Sequence, residues 1–374
     1  MRKNLIAICI LIISKYLFAS HGLENAPGKI GISVDYNIGK HLHHSPKIVA
    51  DLSGITHAYE ISCFKQTTGE KDWMRKLRYP EIGGALHITQ NVNPRVFGTT
   101  VGFMGTVKFF LLRSRYADMF VRLGAGGAIH SKHYHVNKNA ENNVIGSALN
   151  AMFQLRIGAD FKPLPWLQVA VSGVLTHQSN GGIQLPNLGI NVAGATIGIR
   201  YFPIHNTIPY VKGKVPKPFR PNEFMFRFGF GVTDQWRNGP KYPMYFATFA
   251  YARYTSIINK VVAGFTLEYN YAIRDMMAQG EIGNRKEQRA HAFTPSFFIG
   301  DEIIINRVGM LYALGVYVYH PSFRSSWIYA KAGVNYYFVD LGKNGTIKPY
   351  IGAHLKAHKF IAQTIEFGTG FLFR

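Results

Sequence analysis

The chain has 374 residues, of which 47% are hydrophobic and 17% charged, with 27 Phe and 21 Tyr. That charge content is low for a soluble surface of this size, and after the N-terminus no run of eighteen apolar residues offers a transmembrane helix. The formal charge of +22 comes without any nucleic-acid recognition motif, so no nucleic-acid partner is expected. The basic clusters at 71–78 and 212–220 suit anionic lipid headgroups and read equally as solvated loops.

Residues 1–20 have the pattern of a signal peptide. Arg2 and Lys3 precede an apolar run from Leu5 to Ser14, and Leu17-Phe18-Ala19 is a plausible cleavage signal. Cys9 lies in that run, which leaves Cys63 alone in the exported chain and allows no intramolecular disulfide.

Strand-like alternation then dominates. Expected strands lie near 29–37, 54–64, 80–89, 99–112, 117–130, 148–161, 166–179 and 190–203. After a break they resume at 223–233, 243–256, 260–274, 290–304, 308–320, 326–339, 347–356 and 361–373. The pattern is clear where Val261, Ala263, Phe265, Leu267, Tyr269, Tyr271 and Ile273 alternate with polar and small residues that include Glu268 and Arg274. Alternate residues of a strand share a face.

A soluble sandwich also alternates, but these runs are about twice the five or six residues usual in soluble strands. Aromatic residues gather at run ends, and Glu268, Lys331 and Glu366 lie within the polar faces. The expected fold class is therefore all-β, a transmembrane antiparallel β-barrel. One barrel of about 14–16 strands is the first reading, and two eight-stranded halves in tandem the alternative. The break holds Pro203, Pro209, Pro216, Pro218 and Pro221 and cannot continue a sheet. The expected domains are a signal peptide at 1–20, a barrel half at 21–203, a Pro/Lys-rich loop or linker at 204–222 and a second barrel half at 223–374.

The hairpin at 166–203 carries unusual chemistry. His177 and Ser179 share a strand face with Leu167, Val169, Val171 and Leu175, and Asn191 shares one with Ala193, Ala195, Ile197 and Ile199. Ester hydrolysis needs a nucleophile, a base, a group that orients the base, and donors for the oxyanion. Ser179, His177 and Asn191 fit the first three by spacing. Asn180, Asn187 and the backbone of the Gly181-Gly182 turn are candidate donors. The plainer reading is a polar turn rich in Asn and Gly.

The string His177-Gln178-Ser179-Asn180, followed by Pro186-Asn187-Leu188-Gly189-Ile190, resembles the outer-membrane lipid A 3-O-deacylase family. The resemblance spans roughly 28–202 and includes the 143–161 region and the ending Ile197-Gly198-Ile199-Arg200-Tyr201-Phe202. It implies an eight-stranded barrel in the outer membrane of a Gram-negative bacterium. The implied activity is hydrolysis of the ester-linked acyl chain at the 3-position of lipid A, at a membrane-facing site. It implies His177 as base, Ser179 as nucleophile, and Asn180 and Asn187 at the oxyanion hole. It implies no cofactor or metal, and lipid A or lipopolysaccharide as substrate among outer-membrane lipids. Two features depart from the family. Its usual glutamate falls at Asn191, where an amide can orient an imidazole but cannot stabilise imidazolium by charge. The long C-terminal half is also extra to the minimal enzyme, although 350–373, with His354, Lys356 and His358, looks like the ends of larger relatives.

Other candidates weigh less. His320-Pro321-Ser322 repeats the His-x-Ser spacing at an expected turn. His41, His43 and His44, and His130, His133 and His135, are possible metal clusters that read better as loop histidines. The rival functions are a non-catalytic barrel, such as a porin, that retains the hairpin, and a phospholipase or general lipid esterase of the same geometry.

Overall fold

The computed structural model describes residues 19–20, 25–26, 30–203, 208–218, 221–234, 237, 239–319, 326–341, 346–359 and 361–374. The expected signal peptide falls almost wholly outside these residues, as does His320-Pro321-Ser322. Among the described residues, sixteen strands of ten residues or more carry the fold. They form two compact units, each a closed antiparallel barrel.

The first unit comprises β1 (Ile30–His41), β2 (Thr56–Gln66), β3 (Glu81–Gln90), β4 (Thr99–Arg113), β5 (Ala117–His130), β6 (Leu149–Leu164), β7 (Leu167–Ser179) and β8 (Ile190–Tyr201). Each strand pairs with the next, and β8 returns to β1 with Ile197 opposite Tyr36. The second comprises β9 (Asn222–Asp234), β10 (Lys241–Ser256), β11 (Asn259–Asn270), β12 (Ser296–Ile305), β13 (Val308–Tyr317), β14 (Ile328–Tyr337), β15 (Ile347–His358) and β16 (Ile361–Phe373). It closes through β16 and β9, with Phe371 opposite Phe226. The all-β barrel architecture is as expected, and the first reading of one large barrel gives way to the tandem alternative. The reason is pairing: β8 bonds to β1 and not to β9, so each set of eight leaves no open edge. Short helices α1 (Asp72–Lys76) and α2 (Pro94–Phe97) lie between strands of the first barrel.

Two expected strands are shorter than their alternation suggested: the one expected at 290–304 begins only at Ser296, after a helix that runs to His291, and the one expected at 260–274 ends early. β11 stops at Asn270, whose side chain accepts the Ala272 N–H and caps α3 (Tyr271–Gln279), which α4 (Arg285–His291) follows. Tyr271, Ile273 and Arg274 are therefore helical. An N-cap amide favours the helix here because it satisfies one of the N–H groups that the first helical turn leaves without an intrahelical partner.

Both barrels bury polar groups inside and expose apolar ones outside. In β7, Gln168, Ala170, Ser172, Val174, Thr176 and Gln178 are buried, whereas Val171 and Leu175 are exposed. A lumen of eight strands is just wide enough for side chains to fill. Glu60 is central in the first barrel. Its carboxylate accepts from Arg122 at 2.6 Å, Arg156 at 2.9 Å, His87 at 3.0 Å and Gln154 at 3.0 Å. Arg200 forks onto Glu81 at 2.7 and 2.8 Å, and Lys108 pairs with Asp160. In the second barrel Lys260 bridges Glu223 and Glu302, and Glu366 holds Arg227 and Lys331. These ion pairs fill the space a wide pore would need.

The two ends of the first barrel differ. One carries the short turns Ser114–Tyr116 and Pro165–Trp166, together with 67–80, and the other carries 42–55, 91–98, 131–148 and 180–189. Parts of the latter loops share an apolar cluster of Ile48, Val92, Val96, Phe97, Val144, Ile145 and Ile190, against which Leu188 packs. That cluster fixes the end of the barrel at which β7 finishes.

Removing the hub carboxylate tests this lumen. Glu60→Ala leaves two guanidinium groups buried without their shared counter-charge, a loss typically costing about 3–5 kcal/mol. The variant should unfold at lower denaturant and lose heat-modifiable migration, whereas an exposed substitution such as Lys138→Ala should not. Equal stability of Glu60→Ala and wild type would contradict the hub role.

Candidate active site

The closed barrel fixes β6, β7 and β8 side by side. Phe153, His177 and Asn191 fall in one row across them, because the register pairs Phe153 with His177 and His177 with Asn191. Ser179 lies two residues further along β7, opposite Ala151. His177 is half-buried, while Ser179 is only 5% exposed.

The hydrogen bonds are directional. His177 Nδ1 lies 2.7 Å from Asn191 Oδ1, and His177 Nε2 lies 2.9 Å from Ser179 Oγ. An amide oxygen only accepts, so Nδ1 carries the proton and donates. In the neutral ring Nε2 then has its lone pair toward the serine hydroxyl, which donates to it. This tautomer can take a proton from serine.

Two further residues hold the ring. Phe153 stacks beside it, with ring centroids 6.5 Å apart and planes 26° from parallel. Gly189, at φ +80°, runs so close that an added Cβ would lie 3.0 Å from His177 Cε1 and 3.5 Å from Ser179 Cβ. Its N–H donates to the Val144 carbonyl at 3.0 Å, which ties the turn to the loop before β6. Sequence reasoning missed both. Phe153 becomes visible only once the β6–β7 register is known. Gly189 lay within the quoted string, and its signal was a glycine just before a strand.

The remaining sequence candidates separate. Asn180 lies beside Ser179, and its side-chain Nδ2 donates to Ser147 Oγ at 3.1 Å. Gly181 and Asn187 belong to the segment Gly181–Asn187, which groups with the second unit. There Leu185 N–H donates to the Asp234 carboxylate at 3.0 Å, and Lys241 donates to the Ile183 carbonyl at 2.8 Å. The histidine clusters disperse: His41 is buried against the Phe97 ring, whereas His44 and His135 are exposed and bond backbone atoms. Among the described residues no group of three or more His, Cys, Asp or Glu is placed to hold a metal ion. His354 sits inside the second barrel, bonded to Asn335 at 2.9 Å.

Residues 57–200 match the family model described as lipid A 3-O-deacylase (PagL), and residues 217–374 match the one described as acyloxyacyl hydrolase, C-terminal domain. The chain belongs to the lipid A 3-O-deacylase family. It is accordingly a hydrolase of ester bonds and an outer-membrane β-barrel of Gram-negative bacteria. Among solved structures, the outer membrane enzyme PagL is 19% identical over 46% of this chain and 99% of its own, with a TM-score of 0.33. Neisserial surface protein A is 10% identical over 47% of this chain and 97% of its own, with a TM-score of 0.30. A comparison with curated proteins finds no match.

The Gly189 contact yields a specific test in this deacylase-family chain. Gly189→Ala places a methyl against the imidazole in a left-handed conformation that costs about 1–2 kcal/mol for an L side chain. Ester hydrolysis per folded molecule should fall about tenfold or more while the barrel still assembles. Unchanged turnover would mean that the ring position does not matter.

Proposed function

We propose that this chain removes the ester-linked acyl chain at the 3-position of lipid A, using His177 and Ser179 on the outward, lipid-facing surface of the first barrel. His177 is the general base and Ser179 the nucleophile, while Asn191 orients the imidazole. The observation that carries this reading is the continuous chain from Ser179 Oγ through His177 to Asn191 Oδ1, at 2.9 and 2.7 Å. Two arguments support a position in the membrane. First, β7 residues on the same side of the strand, Val171 and Leu175, are exposed and apolar. Second, outer-membrane barrels carry short turns on the periplasmic side and longer loops outside. β7 ends at the long-loop side, which supports a level for Ser179 in the outer leaflet.

The reaction begins with Ser179 Oγ attacking the ester carbonyl carbon as His177 Nε2 takes the hydroxyl proton. The tetrahedral oxyanion needs donors, and we assign Asn180 to that role, with Ser147 fixing its side chain. Collapse expels the sugar hydroxyl, which receives the proton from His177. Water, deprotonated by the same imidazole, then releases the fatty acid and restores Ser179. Asn191 cannot offset the imidazolium charge as a carboxylate would, so the geometry is kept and the electrostatic stabilisation is weaker.

Substitutions in folded protein test the roles. Ser179→Ala and His177→Ala should each lower deacylation by about a thousandfold or more, because members of one catalytic unit fail together. Near-wild-type release of acyl chains by Ser179→Ala would overturn the mechanism. At position 191, Asn191→Leu should cost on the order of a hundredfold, whereas Asn191→Glu should preserve or raise the rate. Indifference to both substitutions would remove Asn191 from the mechanism.

A further inference from the structure

A basic corner at the end of β1 flanks these residues, and the hydrolytic steps do not use it. Lys40 is exposed on β1 opposite Ala193 of β8, and Ala193 is opposite Leu175 of β7. Lys40 therefore stands two strand spacings from β7, about 10 Å, and two residues, about 7 Å, from the row of His177. The β8 side chain in the row of Lys40 is only the methyl of Ala193, which leaves the flexible four-carbon stem of Lys40 free to lean toward the row of His177. Among the described residues Lys40 makes no ion pair.

His44 lies on the loop that follows β1. It is exposed, with Nδ1 3.1 Å from the Leu42 carbonyl oxygen and Nε2 3.0 Å from the Leu188 carbonyl oxygen. Both ring nitrogens thus face carbonyl oxygens, which ties this loop to the turn that carries Leu188. Leu188 precedes Gly189, the residue that abuts the His177 ring. Lys40 thus brings a flexible cation to this flank of the His–Ser pair, beside a loop that His44 pins in place. The carboxylate on this loop, Asp51, is bonded by the Ser53 N–H at 2.8 Å and the Ser53 hydroxyl at 2.7 Å.

We propose that Lys40 binds a phosphate on the sugar that carries the scissile ester, so that the site selects phosphorylated glycolipids over dephosphorylated ones. This rests on the hydrolytic reading above and adds the feature of the substrate that is recognised. Charge-assisted bonds to phosphate are among the stronger polar contacts. A phosphate one sugar ring from the ester would lie between the corner and Ser179.

The test uses full-length protein in neutral detergent micelles, with bisphosphorylated and dephosphorylated lipid A as substrates. Wild type should favour the phosphorylated form by about tenfold in kcat/KM, mostly through KM. Lys40→Gln should shrink that preference to about twofold or less, and Lys40→Arg should keep most of it. Lys212→Gln is a control, since exposed Lys212 follows Val211, which is bonded to Thr68 at the short-turn end. It should leave the preference intact. An equal preference in wild type and Lys40→Gln would overturn the proposal, as would no preference in wild type. A preference that appears only when anionic phospholipid is added would assign Lys40 to the bilayer and also overturn it. If wild type cleaves neither lipid, or Ser179→Ala cleaves both, the hydrolytic reading fails and takes this one with it. If only the Lys40 comparison fails, the hydrolytic reading stands.

Discussion

Strand pairing in a closed sheet is the constraint on which everything else in this molecule depends. A strand bonded on both sides cannot shift by one residue without turning every side chain to the opposite face. In the first barrel such a slip would drive Glu60, Arg122 and Arg156 outward and Val171 and Leu175 into the lumen. The buried ion pairs and the exposed apolar face therefore hold one register between them. That register sets His177 between Phe153 and Asn191. The candidate site needs no special loop to bring its first three groups together, because the pleat does so.

Much of this was legible in the sequence because it is local. Period-two alternation is written residue by residue, and the expected strands fall close to the observed ones at nearly every position. The hairpin was legible for the same reason: His177 and Ser179 are two apart, and a short connection returns the chain to Asn191. What was illegible is what pairs at long range. One barrel of sixteen strands and two of eight show the same alternation, and they differ only in whether β8 bonds to β1 or to β9. Phe153 was hidden because its place beside His177 depends on the β6–β7 register. Tyr271 and Ile273 misled because they continue an alternation that the Asn270 cap ends.

The amide at Asn191 bears on chemistry and stability at once. It gives the imidazole the same hydrogen bond that a carboxylate would, at 2.7 Å, without adding a charge to the outward face. A buried or lipid-facing carboxylate is costly wherever it lacks a partner. On the proposed mechanism, the exchange would keep the tautomer and give up stabilisation of the imidazolium.

Mass spectrometry of lipid A is the most direct measurement. Purified lipid A with all its acyl chains would be incubated with the folded protein, and the product would be fragmented to locate the lost chain. The account predicts a product lighter by one ester-linked acyl chain, with a free hydroxyl at the 3-position and one equivalent of fatty acid released. Lipid A of unchanged mass, or loss of a chain from any other position, would contradict it.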